Sequence, residues 1–227
     1  MSWVCVVPVK GSSGAKSRLG ELPEAFPARA ELAEAFALDT VGALLAAGMV
    51  ERVLVVTADA AAAAPLEALG ARIVTEFPEA APSSASKGAF AATRDPLNAA
   101  IETGIRVAQE LYPASHLAVF TGDLPALTVA DVETTLTAAA EHDLAMVADE
   151  EGTGTTTLLA RAGVTLVPRF GPGSRAAHEA AGHVPLDLPT SSSIRRDVDT
   201  VDNLAEVLRR GVGPHTSALL SRSRPLA

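Results

Sequence analysis

Apolar and polar positions alternate along this chain with the periods of strands and of helices in turn. Residues 3–9 form an apolar run rich in valine, the pattern of a strand covered on both faces, and a loop at 10–18 follows it. Over residues 28–47 the positions Leu32, Ala35, Phe36, Leu38, Ala43, Leu44 and Leu45 recur at helical spacing, and Gly48 stops the helix. A strand at 53–57, an alanine-rich helix at 60–69 ending at Gly70 and a short strand at 72–75 come next. Residues 76–95 lack periodicity and read as a long loop, either a lid or partly disordered. Asp95 as N-cap and Pro96 in the first turn open a helix that passes through Leu97, Ala100, Ile101, Ile105 and Ala108 and ends near Leu111. The next apolar run starts at Leu117 and ends on Gly122-Asp123, with Leu124-Pro125 after it.

Strands alternating with helices imply right-handed crossovers and a mainly parallel sheet with helices on both faces. After a helix at 128–141 the pattern changes to short strand candidates at 144–148, 156–160, 165–169 and 184–188, separated by turns with Gly or Pro, which predicts a mixed C-terminal part. A last helix at 201–210 takes Thr200 as N-cap and carries Asp202 in its first turn. No internal repeat or linker interrupts the chain. Residues 1–212 are therefore expected to form a single α/β domain, and 213–227 a C-terminal tail.

Composition narrows the chemistry. Of 227 residues 48% are hydrophobic and 20% charged, ample for a core. The formal net charge of −9 argues against nucleic-acid binding, which needs a basic face, but leaves room for a small phosphorylated substrate held by local cations. No apolar run approaches the roughly 18 residues that cross a membrane. With Cys5 as the one cysteine and no secretory segment, a cytoplasmic location is expected.

Asp123 stands where a buried strand leaves the sheet, the place where open α/β folds bind ligands, although a lone Asp serves equally well in a turn. Lys10, Lys16 and Arg18 share the loop after the first strand and could hold a polyphosphate, or simply face water. That loop is not a P-loop: with Lys16-Ser17 as the final pair, the required glycines would fall at Lys10 and Ala15. In Asp197-Val198-Asp199, strand alternation puts two carboxylates on one face, a hard oxygen pair that suits Mg²⁺; capping by Asp199 and pairing of Asp197 with Arg195 or Arg196 are the competing roles. Phe170-Gly171-Pro172-Gly173-Ser174 predicts a tight turn at a helix start, able to present N–H groups and a hydroxyl to an anion. Residues 151–157 offer small side chains and hydroxyls, or a hairpin tip. Scattered histidines without zinc spacing and the absence of a defensible Ser-His-Asp order make nucleophilic and zinc catalysis poor candidates.

Taken in order, Val7-Pro8-Val9-Lys10 with Ala15-Lys16-Ser17-Arg18-Leu19, Leu97-Asn98-Ala99-Ala100, Gly122-Asp123-Leu124-Pro125, Gly152-Thr153-Gly154-Thr155, Phe170 to Ser174 and Asp197-Val198-Asp199-Thr200 resemble one family. It is the 2-phospho-L-lactate or phosphoenolpyruvate guanylyltransferase family of coenzyme F(420) biosynthesis. The resemblance implies a Rossmann-like nucleotidyltransferase fold, with GTP over the N-terminal half and the phosphorylated acceptor against the C-terminal half. It implies Mg²⁺ on Asp123, Asp197 and Asp199, and acceptor contacts from Thr156 (or its neighbour Thr155), Gly171 and Ser174. Lys10, Lys16 and Arg18 would join Asp123 in the catalytic set, and Asn98 is the candidate for the guanine. Phosphoenolpyruvate is the preferred acceptor and 2-phospho-L-lactate the alternative. Competing readings are a molybdenum-cofactor or sugar-phosphate nucleotidyltransferase, and a non-catalytic nucleotide-binding domain.

Overall fold

The structure, a computed structural model, describes residues 2–9, 26–75 and 95–223. Its centre is a seven-stranded sheet of order β3-β2-β1-β4-β6-β5-β7. The strands are β1 (Trp3–Pro8), β2 (Val50–Thr57), β3 (Arg72–Thr75), β4 (His116–Phe120), β5 (Leu144–Ala148), β6 (Thr155–Ala160) and β7 (Val184–Pro185). Six run in one direction and β6 alone runs antiparallel, to both β4 and β5. The expected mainly parallel sheet with a mixed C-terminal part is therefore present.

Helices α1 (Arg29–Ala46), α2 (Ala60–Ala68) and α4 (Val129–Ala139) pack on one face, where Trp3, Cys5 and Val7 of β1 meet Val41, Leu44, Leu66 and Leu136. Helix α3 (Pro96–Leu111) covers the other face, burying Ile101 and Ile105 against Val4, Val6, Leu54 and Val119. A side chain at Gly104 would put its Cβ 2.4 Å from Val6, so glycine lets α3 lie close on the sheet. Asp95 caps this helix as expected, accepting from the Leu97 amide at 2.8 Å.

Three expectations change. Residues 165–169 form no strand. Leu166 is buried, but the amides of Arg169 and Phe170 donate to the side chains of His178 and Asn98, which stand in for a neighbouring strand. The expected strand at 184–188 shortens to Val184–Pro185, because after the Leu186 amide donates to Met146 the Leu188 amide turns back to the Leu186 carbonyl instead of continuing the pairing with β5. The region from Gly213, expected as a tail, contains helix α7 (Pro214–Ser223), packed on α1. Its cap comes from a distant part of the chain: the buried Asp39 carboxylate on α1 accepts the amides of His215 and Thr216 at 2.8 and 2.9 Å. Leu219 and Leu220 join a third cluster with Leu32, Phe36 and Val198, closed by Leu204 and Val207 of α6 (Val201–Arg210).

Candidate active site

At the carboxyl ends of β1 and β4 the chain leaves in opposite directions, from β1 through α1 to β2 on one side and from β4 through α4 to β5 on the other. That reversal opens a crevice above the sheet. A cavity of about 610 Å³ occupies it, lined by Pro8 and Val9 after β1, Gly122 and Asp123 after β4, and Asp197 and Asp199. Thr153 to Thr155 and the 170–174 turn form its other side.

One carboxylate oxygen from each of Asp123, Asp197 and Asp199 lies within 4.8 Å of the others, and all three residues are half-buried. Backbone geometry produces this convergence. The amide of Val198 donates to the Asp123 carbonyl at 3.1 Å, and the fully buried Val198 side chain turns away into the α1/α6 cluster, leaving its two Asp neighbours on the opposite side. Thr200 and Asn203 form a reciprocal capping box that starts α6 immediately after Asp199. Arg196 reaches Glu150, and Arg195 donates to the Asp149 carbonyl.

Residues invisible to motif reading hold the Asp123 turn. Thr40 of α1 accepts the Leu124 amide at 3.0 Å while donating to the Phe36 carbonyl. Pro125 accepts the Gly213 amide at 2.7 Å. On the far side Ser193 donates from both its amide and its hydroxyl to Asp131 of α4, fixing the turn that leads into Asp197. Burial pushes the Asp131 carboxyl up, but the hydrogen bonds from Ser193, Ser192 and Thr128 together outweigh it and hold the group below its ordinary value.

The opposite wall bears hydroxyls and backbone groups, and of the two aspartates that also line the cavity there, Asp149 spends both carboxylate oxygens on the Thr153 and Gly154 amides and Asp95 spends one on the Leu97 amide. Gly171 and Gly173 have φ of 134° and 72°, conformations that favour glycine, and bring Ser174 to the start of α5 (Ser174–Ala180). The turn is less open to an anion than its sequence suggests, since the amides of Ser174 and Arg175 already donate to the carbonyls of Gly171 and Thr153. Ser174 itself is buried and lines the cavity. Of the two candidate threonines, Thr155 lines the cavity, whereas Thr156 is fully buried. Asn98 does not line it. Its carboxamide forms a two-bond clasp on the Phe170 backbone, at 2.9 and 2.8 Å, so it anchors the 170–174 turn from α3. Asp149 supports the β5–β6 turn in the same manner, accepting the Thr153 and Gly154 amides. Lys10, Lys16, Arg18 and residues 76–94 of the expected lid lie outside the described residues.

Residues 3–224 match the model of the family described as guanylyl transferase CofC like. The chain belongs to this family. The phosphoenolpyruvate guanylyltransferase of Streptomyces scabiei is 46% identical over 222 residues, which is 98% of this chain and 97% of that protein. Among solved structures, a Desulfovibrio desulfuricans G20 protein described as a nucleotide-diphospho-sugar transferase aligns with a TM-score of 0.65 at 18% identity, covering 98% of this chain and 99% of its own. Rv0371c of Mycobacterium tuberculosis, in complex with manganese, aligns at 0.50 with 16% identity, covering 93% of this chain and 100% of its own. At these identities the structural likeness speaks for the fold, a nucleotidyltransferase α/β fold, and it agrees with the guanylyl transferase family. No helix of the described residues is long and apolar enough to cross a membrane.

Proposed function

We propose that this protein transfers GMP from GTP to the phosphate of phosphoenolpyruvate, forming enolpyruvoyl-2-diphospho-5'-guanosine and pyrophosphate in coenzyme F(420) biosynthesis. The observation that carries the reading is the meeting of Asp123, Asp197 and Asp199 over a cavity whose opposite wall is hydroxyl-bearing. Family membership supports the same reaction.

An acceptor phosphate with a second pKa near 6 is largely a dianion at neutral pH and needs no strong base. One of its oxygens forms the new bond to the α-phosphorus of GTP, and the bond to the β-phosphate oxygen breaks, with its electron pair leaving on pyrophosphate. The difficulty is repulsion between two anions. Among the described residues, every charged side chain lining the cavity is an aspartate, so compensation has to come from elsewhere. Three converging carboxylates are the hard donor set that a divalent cation takes alongside substrate phosphates, and we assign them to Mg²⁺. The metal, when bound, supplies Lewis-acid neutralisation of phosphoryl charge. Lys10, Lys16 and Arg18 would take the departing phosphates, while Thr155, Gly171 and Ser174 orient the acceptor. GTP and phosphoenolpyruvate are cytoplasmic metabolites, which is where we place the reaction.

Mass spectrometry of the product made from GTP with each acid tests the reading. A GMP adduct of phosphoenolpyruvate, lost with EDTA and regained with Mg²⁺, is expected. An adduct with 2-phospho-L-lactate alone would move the acceptor assignment, and pyrophosphate release from CTP or UTP in preference to GTP would overturn the nucleotide.

A further inference from the structure

Behind the hydroxyl-bearing wall lies a buried imidazole that the reaction above does not use. His178 of α5 is fully buried, with its ring edge-on to Phe170 at 5.3 Å and to His183 at 5.4 Å between centroids. Its Nε2 receives the backbone amide of Arg169 at 2.9 Å, and its Nδ1 lies 3.0 Å from the Thr155 hydroxyl oxygen.

These two contacts determine where the protons are. A backbone amide only donates, so Nε2 must present its lone pair. In the neutral ring the single proton is then on Nδ1, and it is donated to Thr155 Oγ1. Burial first, then the neighbouring His183 and Arg169, lower the pKa of His178 to about 4, so the ring stays neutral at physiological pH. A threonine oxygen that accepts from behind retains its own O–H to donate. Thr155 lines the cavity, so the available direction is toward the ligand.

We propose that His178 is a positioning residue: by donating from Nδ1 to Thr155 it commits the Thr155 hydroxyl to donate to an anionic oxygen of the acceptor. The imidazole never touches substrate. It acts as a fixed donor that removes the alternative hydroxyl rotamer, in which Thr155 would point its proton inward and present lone pairs to an anion. The inference rests on the assignment of this wall to the acceptor.

Side-chain geometry supplies the test. Asparagine places its amide nitrogen where Nδ1 lies, whereas glutamine reaches the Nε2 position with a carbonyl that can still accept from Arg169. His178→Gln should therefore raise the acceptor KM roughly tenfold, the worth of one hydrogen bond to a charged group, with the GTP KM unchanged. His178→Asn should recover much of the loss. Thr155→Val should match His178→Gln, Thr155→Ser should restore binding, and the double variant His178→Gln/Thr155→Val should be no worse than Thr155→Val alone.

In Thr155→Val, the competitor that weakens, inorganic phosphate or oxalate, identifies whether phosphate or carboxylate accepts the bond. Independently of any variant, ¹⁵N NMR of the wild-type protein at pH 7 should show Nδ1 protonated and Nε2 bare. The reverse tautomer, an unmoved acceptor KM in a folded His178→Gln, or additivity in the double variant overturns the proposal. If the wild type transfers nothing to phosphoenolpyruvate or 2-phospho-L-lactate, the acceptor assignment fails and this proposal fails with it. Normal turnover with an unmoved KM sinks this proposal alone.

Discussion

The two walls of the cavity solve opposite problems with different materials. On one side, Asp123, Asp197 and Asp199 crowd negative charge into a small volume, which is unfavourable unless a cation joins them. On the other, Thr155, Gly171 and Ser174 are uncharged, the neighbouring Asp95 and Asp149 carboxylates accept backbone amides, and the backing residues Asn98 and His178 are spent on backbone and hydroxyl partners. The acidic wall is assembled from two short segments joined by a single backbone bond from Val198 to Asp123. The hydroxyl-bearing wall depends on side chains from α3 and α5 reaching into irregular backbone. On the proposed reading, charge marks where a cation is held and hydrogen-bond direction marks where an anion is placed.

If that division is right, substitutions in the two walls should fail differently. The largest effect belongs to the acidic side. Asp123→Asn, Asp197→Asn or Asp199→Asn should each lower kcat by about a thousandfold or more, some 4 kcal/mol of barrier, with a near-native thermal melt. Near-wild-type pyrophosphate release by all three would erase the distinction between the walls.

On the hydroxyl-bearing side Ser174→Ala should leave kcat largely intact and raise the acceptor KM roughly tenfold, without moving the GTP KM. Equal changes in both KM values would mean that the wall is shared between substrates. Asn98→Ala should act through the fold. Loss of both clasp bonds to Phe170 should cost about 1–3 kcal/mol in urea denaturation and weaken the acceptor in parallel.

The smallest effect is a pH dependence. The folded state holds His178 near pKa 4 against an ordinary 6.5, so the unfolded chain takes up the proton first as pH falls. Stability from this residue is present above pH 6.5 and lost progressively down to about 4, and His183, also lowered chiefly by burial, acts in the same direction. The urea midpoint should therefore fall across that window, and His178→Asn should flatten the slope. An unchanged slope would detach the buried imidazole from the hydroxyl-bearing wall's energetics.

What could be read from the sequence follows the same division. Asp123 could be located because an apolar run ends at Gly122-Asp123, and the pairing of Asp197 with Asp199 because strand alternation is a local rule. The Asp95-Pro96 start of α3 is likewise local. His178, Thr40 and Asn98 could not be placed, because their roles depend on partners such as Thr155, Leu124 and Phe170 that are distant in the chain. The strand expected at 165–169 failed for the same reason. Its apolar pattern is real, but side chains from α3 and α5 had already taken the amides that a neighbouring strand would need. A sharper signal for the β5–β6 turn was available in Gly154, where a Cβ would sit 2.3 Å from Asp149 Oδ2.

The clasp between Asp39 and α7 also sets an order of events during synthesis. The Asp39 carboxylate meets its partners only after 176 more residues have been translated, and Gly213, beside them, is the residue that ties down Pro125. The turn carrying Asp123 is therefore braced by a segment translated long after it. The pairing of β1, β2 and β4 does not by itself include this brace on the Asp123 turn. A contact of such sequence separation carries a large loop-closure cost, so it favours closing after the local strand and helix pairings.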